Sequence, residues 1–228
     1  MIITVYGDSI LKGVRYENGE HNVFPFWEDR LARDLGVTIR NRSHFGFTIR
    51  HALRSIRRCT TKPLQEQEMT ILEMGGNDCD YDWAAISETP QGRHLCKTPP
   101  EVFVADYREA IALLRDSERT PVITTLPPVS SELYLDYICR EGLSRENILQ
   151  WLGGVETIFN WQKTYSELIR QLAREEQIPL IDIRSAFTEC SDPLEDLLSI
   201  DGIHPSAKGQ ELIYNTLKSQ ADYWYRAT

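Results

Sequence analysis

Five residues spread over the chain have the types that acyl transfer needs. Ser9 follows Tyr6-Gly7-Asp8 directly behind the apolar run Ile2-Ile3-Thr4-Val5. A serine hydroxyl is a weak nucleophile at neutral pH and requires an adjacent base, usually a histidine held by a carboxylate. Asp201-x-x-His204 offers that pair. In a tight loop the carboxylate of Asp201 reaches back to Nδ1 of His204 and leaves Nε2 to face Ser9. An oxyanion needs donors as well, and three are available: the backbone N–H of Ser9, the backbone N–H of Gly46 and the side-chain amide of Asn77. Each residue alone has a plainer reading. Asp8 or Ser9 caps a turn, Gly46 and Gly75 are turn glycines, and Asn77 makes an Asx turn. His21, His51 and His94 have no such surroundings in the sequence and are read as ordinary surface or core histidines.

The elements around these residues bring them to one place. A buried β-branched run that stops at Gly7 is a central strand presenting Ser9 at its carboxyl edge. Residues 22–35 carry Phe24, Trp27, Leu31 and Leu35 at helical spacing, with Pro25 near the start and Gly36 at the end. A second strand over 37–40 leads into the loop 41–47, and Thr48 caps a helix whose inward face is Ile49, Ala52, Leu53 and Ile56. A third strand over 69–74 stops at Gly75-Gly76, just before Asn77-Asp78. The aperiodic segment 79–99 reads as a pocket rim. Helix 99–115 and a fourth strand over 121–126 follow. A mostly helical stretch over 131–176 is longer than one crossover requires, and its surplus, about 130–154, reads as an insertion over the carboxyl edge of the sheet. A fifth strand over 178–183 precedes the Asp201 loop, and Ser206 caps a last helix.

Five strands alternating with helices predict an α/β fold, a three-layer sandwich around a parallel sheet. Right-handed crossovers favour the flavodoxin-like order 2-1-3-4-5, whose switch point lies between strands one and three. Those are the strands that end at Ser9 and before Asn77.

Composition narrows the classes. A chain of 228 residues, 41% hydrophobic and 26% charged, predicts one domain over 1–228. With 25 Lys plus Arg against 34 Asp plus Glu, the net charge of -9 argues against a nucleic-acid partner. The stripe Arg50, Arg54, Arg57 and Arg58 has no interleaved aromatics and reads as a solvated helix face. Five cysteines without a CxxC pair suggest neither a zinc ribbon nor a disulfide framework. A strand that begins at Ile2 and the lack of any run near ~20 apolar residues predict neither a secretion signal nor a membrane span, hence a cytoplasmic protein.

Rival motifs fare poorly. Ser9-x-x-Lys12 is not followed by S-D-N or K-T-G, and the G-x-S-x-G elbow is absent. Asp78, Asp80 and Asp82 lack the glycine and distal glutamate of a calcium loop and read as a solvated rim, so no metal or cofactor is expected. Trp27, Trp83 and Trp151 read as core or rim, with a sugar site as the sharper alternative.

Taken together, Gly7-Asp8-Ser9, the loop 41–48 with Gly46, Gly75-x-Asn77-Asp78 and Asp201-x-x-His204-Pro205 resemble the four signature blocks of the SGNH, or GDSL, hydrolases. The blocks occur in order across nearly the whole chain, with Ser43 where the family often has glycine. The resemblance implies Ser9 as nucleophile, His204 as base, Asp201 as its orienting acid, and Gly46 with Asn77 as oxyanion partners. It implies an ester hydrolase working through an acyl-enzyme. The substrate expected is a small soluble ester, such as an O-acetylated carbohydrate or a short-chain acyl ester. A lysophospholipase or thioesterase, a non-catalytic binding protein on the same fold, and a metal phosphatase using the Asp78–Asp82 cluster are the alternatives.

Overall fold

The run behind Ser9 becomes β1 (Ile2–Gly7), and each of its six residues is buried. A strand covered on both faces has no polar side to alternate with, so it reads as a continuous apolar run. In the computed structural model, which describes residues 1–221 and Tyr223, β1 leads into the single turn α1 (Ser9–Lys12). A hairpin of β2 (Val14–Glu17) and β3 (Glu20–Val23) follows, then α2 (Glu28–Leu35), β4 (Thr38–Asn41), α3 (Ile49–Cys59) and β5 (Glu68–Glu73). Beyond these come α4 (Trp83–Glu88), α5 (Pro100–Asp116), β6 (Thr120–Thr124), α6 (Ser131–Cys139), α7 (Arg145–Leu152) and α8 (Thr157–Glu175). The two-residue β7 (Leu180–Ile181), α9 (Ile183–Glu189), α10 (Leu194–Leu197) and α11 (Ala207–Ser219) complete the described elements.

Five strands pair in parallel in the order β4-β1-β5-β6-β7. Counted within the sheet this is 2-1-3-4-5, because the hairpin lies outside it. Tyr6, Leu72 and Ile123 point to one face and pack with Ile49 and Ile56 of α3, Phe103 and Tyr107 of α5 and Tyr165 of α8. Ile3, Val5, Ile71 and Val122 point to the other, against Leu31 of α2, Phe187 of α9 and Ile213 and Leu217 of α11. The result is an α/β/α sandwich whose switch point falls between β1 and β5.

The inward face expected for α3 is buried as a unit. Its basic stripe faces acids of α5 instead of solvent alone, with Arg50 on Asp106 and Arg57 on Glu109. Two expectations are corrected. The helix expected over 22–35 begins only at Glu28, since Asn22 and Val23 belong to the hairpin and residues 24–27 link it to the helix. Asn18 and Gly19, with φ of 55° and 85°, make the turn that Asn-Gly favours because its twist matches the flanking strands. The fifth strand is two residues long, because the Asp182 side chain accepts from the Ser185 N–H and starts α9. Trp27 is core, 1% exposed, with Nε1 donating to the Leu11 carbonyl at 3.0 Å.

Over the carboxyl ends of β5 and β6, α4, α6 and α7 build a separate apolar cluster from Ile86, Val129, Leu135, Ile148, Leu152 and Ile158. Among the described residues no helix is long and apolar enough to cross a membrane.

Candidate active site

At the carboxyl end of β1 the Asp8 side chain accepts from the Ile10 N–H at 2.8 Å and starts α1, which fixes Ser9 at the first position of that turn. Ser9 Oγ lies 2.9 Å from Nε2 of His204, across 195 positions of sequence. Nδ1 of His204 lies 2.5 Å from Oδ2 of Asp201. The other carboxylate oxygen of Asp201 accepts from the backbone N–H of His204 at 3.1 Å and of Ile203 at 3.2 Å. One oxygen thus folds the loop while the other holds the ring. Burial raises the Asp201 pKa, but the hydrogen bonds and charge of His204 outweigh it and hold the carboxyl below its ordinary value.

That loop is braced from three sides. Ser199 donates its N–H to the His204 carbonyl at 2.7 Å, and Ser130 donates to the Gly202 carbonyl at 2.8 Å. Tyr16 of β2 donates its N–H to Ser199 Oγ at 3.2 Å. Gly202 has φ of +74°, and a Cβ there would lie 2.5 Å from the Tyr134 backbone nitrogen, so the loop path requires glycine.

The other two sequence blocks reach the same place. Beyond β4 the chain stays alongside β1, with His44 donating its N–H to the Gly7 carbonyl at 3.1 Å. This brings Gly46, at φ +74°, beside the nucleophile. Asn77 donates a side-chain N–H to Asp8 Oδ2 at 3.1 Å. Both oxygens of Asp78 lie 3.1 Å from the Ile49 N–H, which ties the Asn77 loop to the start of α3 just beyond Gly46. Asp8 donates its N–H to Oε2 of the buried Glu73 at 3.1 Å. Burial, first of all, raises the pKa of both Asp8 and Glu73.

Ser9, Gly46, Asn77 and His204 all border one cavity of about 360 Å³. Its far wall is Tyr81, Trp83, Trp151 and Trp161 with Leu126 and Ile158. Asp80 secures that wall, accepting from Trp83 Nε1 at 2.9 Å, Tyr134 Oη at 2.8 Å and Lys97 Nζ at 2.8 Å.

Of the acids of 78–82, Asp82 is exposed as a solvated rim would have it, whereas Asp78 is buried and Asp80 partly so. Asp78 is fully buried and its pKa is pushed up to about 7, chiefly by burial. Asp82 starts α4 by accepting from the Ala85 N–H at 3.0 Å. Each carboxylate has its own protein partners.

His21 is the residue that sequence reasoning missed. It stands opposite Tyr16 in the hairpin, and its Nε2 is 3.4 Å from Asp201 Oδ2. The signal in the sequence that points to it is the pair Asn18-Gly19, since a hairpin turn sets which residues face each other. Among the described residues, His21, Asp201 and His204 bring possible ligand atoms within 4.8 Å of one another. The 2.5 Å between His204 and Asp201 is hydrogen-bond geometry. Two ligands on one tetrahedral ion stand about 3.3 Å apart at metal distances near 2.0 Å.

A family model described as the GDSL-like lipase/acylhydrolase family matches residues 5–212. The isoamyl acetate-hydrolyzing esterase of Saccharomyces cerevisiae is 28% identical over 190 residues, covering 83% of this chain and 71% of its own. The GDSL esterase/lipase CPRD49 of Arabidopsis thaliana is 27% identical over 216 residues, covering 92% and 75%. Among solved structures, a lipolytic protein of the G-D-S-L family from Veillonella parvula superposes with a TM-score of 0.67 at 16% identity, covering 98% of this chain and 99% of its own. The psychrotrophic esterase EstA of Pseudoalteromonas gives 0.60 at 16%, covering 99% and 98%. Likeness at such identity is likeness of fold.

Proposed function

Because the chain belongs to the GDSL-like lipase/acylhydrolase family and is a hydrolase of ester bonds, we propose that Ser9 is its nucleophile, His204 the general base and Asp201 the acid that orients it. The observation that carries this reading is the continuous path from Ser9 Oγ to His204 at 2.9 Å and from His204 to Asp201 at 2.5 Å.

The steps follow from these positions. Ser9 Oγ attacks the ester carbonyl as its proton passes to Nε2 of His204, and Asp201 stabilises the imidazolium that forms. Negative charge develops on the carbonyl oxygen, where the N–H groups of Ser9 and Gly46 and the Asn77 amide serve as donors. In the resting site one amide hydrogen of Asn77 is engaged by Asp8, which leaves the second for the oxyanion. Collapse breaks the ester C–O bond, and the imidazolium gives its proton to the departing alcohol. Water then attacks the acyl-enzyme with His204 again as base, releasing the acid and restoring the serine.

The substrate class proposed is a small ester with a short acyl chain. The aromatic and aliphatic wall of a cavity of about 360 Å³ suits an apolar group better than a hydroxyl-rich one. The yeast relative's name, hydrolysis of isoamyl acetate, is consistent with that chemistry. An O-acetylated carbohydrate is the second substrate class, since Trp83 and Trp151 offer ring faces to a sugar. In this reading residues 130–154 are a helical insertion in one domain, and it sets the shape of the wall.

The test is a fluorophosphonate label read by intact mass and peptide mapping, together with turnover of acetyl, butyryl and longer acyl esters and of acetylated saccharides. The expected result is one adduct at Ser9, loss of turnover in Ser9→Ala, and preference for short acyl groups on apolar alcohols. Undiminished turnover in Ser9→Ala would overturn the mechanism, and preference for long acyl chains would overturn the substrate class.

A further inference from the structure

The β2–β3 hairpin carries a second histidine to the back of Asp201. Register places His21 directly across from Tyr16, whose N–H is bound to Ser199 in the loop that holds Asp201 and His204. Arg15 adds a second tie, its Nε donating to Gln210 of α11 at 2.8 Å. The hairpin and the loop are therefore braced as one unit, and the His21 ring is held within it. Its centroid is 4.9 Å from that of Tyr16, 5.1 Å from Phe45 and 5.0 Å from His204. Its Nε2 is shut off from solvent, has no hydrogen-bond partner and stands 3.4 Å from Oδ2 of Asp201. A ring nitrogen enclosed among aromatic faces and aimed at a buried carboxylate is more than a packing residue requires, because any apolar ring would fill that space.

Resting on the reading of Asp201 as the acid that orients His204, we propose that His21 is a positioning residue for the reaction. As a neutral imidazole it presents Nε2–H to Asp201 Oδ2 and keeps that carboxylate where the His204 ring meets it. The separation of 3.4 Å is slightly long for an N–H···O bond. A closure of about 0.4 Å brings it to ordinary length. The role requires His21 to be neutral, since a second cation at 5.0 Å would oppose the His204 imidazolium.

The surroundings keep it so. Facing it are Asp201 and His204 from the loop, Tyr16 from its own hairpin, the uncharged Phe45, and Tyr137 from α6. Arg140, just past α6, lies over the Tyr137 ring at 3.7 Å. Burial, then the charge of His204, lowers the His21 pKa against the opposing pull of Asp201.

The experiment compares His21→Phe, which keeps the ring and removes the donor, with His21→Gln, whose amide reaches the Nε2 position. Fluorophosphonate labelling rates and pH profiles of kcat/KM are measured for a short-chain ester. His21→Phe is expected to lower kcat and the labelling rate on the order of tenfold with KM within about twofold, as misorientation of a reacting group does. Its acid limb moves to higher pH, because an Asp201 relieved of a donor holds the His204 proton more tightly. His21→Gln returns rate and limb toward the wild type. Unchanged kinetics in His21→Phe, or equal damage in both variants with the limb unmoved, overturns the proposal. Absence of any adduct at Ser9 in the wild type overturns the underlying mechanism instead. If His21→Phe does not fold, His21→Asn replaces it, since its amide reaches only the Nδ1 position; equal rates for Asn and Gln then overturn the proposal.

Discussion

Asp78 joins the two loops assigned to the oxyanion, and its buried state makes stability depend on pH in an unusual direction. A carboxyl whose pKa rises from 3.8 to about 7 on folding holds its proton more tightly in the native chain than in the unfolded one. The stabilisation is complete below 3.8, declines as pH rises toward about 7 and is gone above it. At 1.36 kcal/mol per pH unit, this is on the order of 4 kcal/mol. Asp78→Asn removes the titration while its amide oxygen still accepts from the Ile49 N–H. Urea unfolding of both proteins from pH 4 to 8.5 isolates the effect, because other titrating groups cancel in the difference between them. The variant is expected to gain on the wild type by about 4 kcal/mol between the two ends, with most of the gain below pH 7. A difference that stays constant over the range would refute the reasoning.

Two further outcomes are expected. Asn77→Ala removes one oxyanion donor and should cut kcat by about 10²–10³ with little change in KM, measured by steady-state turnover of a short-chain ester; a change confined to KM would remove Asn77 from that role. Gly202→Ala forces a Cβ to within 2.5 Å of the Tyr134 backbone nitrogen at a positive φ, so the loop must shift. It should lower stability by more than about 1 kcal/mol and reduce turnover together, and a variant with wild-type melting and rate would show that the loop tolerates the side chain.

The parts of the fold that are legible in the sequence are those where one physical requirement dominates. β1 and β5 are largely apolar because both faces are buried, and the four residues on the inward face of α3 are apolar for the same reason. Strand order then follows from handedness, and with it the meeting of Ser9 and Asn77. Short elements escape because their side chains obey other constraints. β7 is two residues long and has no pattern to show. β3, mostly exposed, reads as polar chain, and a helical spacing across Phe24, Trp27, Leu31 and Leu35 conceals it. The placement of His21 beside Asp201 escapes with it, since it depends on what the hairpin faces and not on any neighbour along the chain. The burial of Asp78 is not legible, because burial, which neutralises a carboxyl, leaves no trace in local composition.

The 195 positions between Ser9 and His204 also order events during synthesis. At 5–20 residues per second, a ribosome exposes the serine roughly 10–40 seconds before the histidine. On the proposed mechanism the hydroxyl has no base and no carboxylate behind it throughout that interval, so the growing chain carries an unactivated alcohol. On that reading, reactivity begins only when the last loop docks on the edge of a finished sheet. Turnover is thus a readout of complete folding, and any break in the chain that keeps the Asp201 loop from docking should silence the serine without touching it.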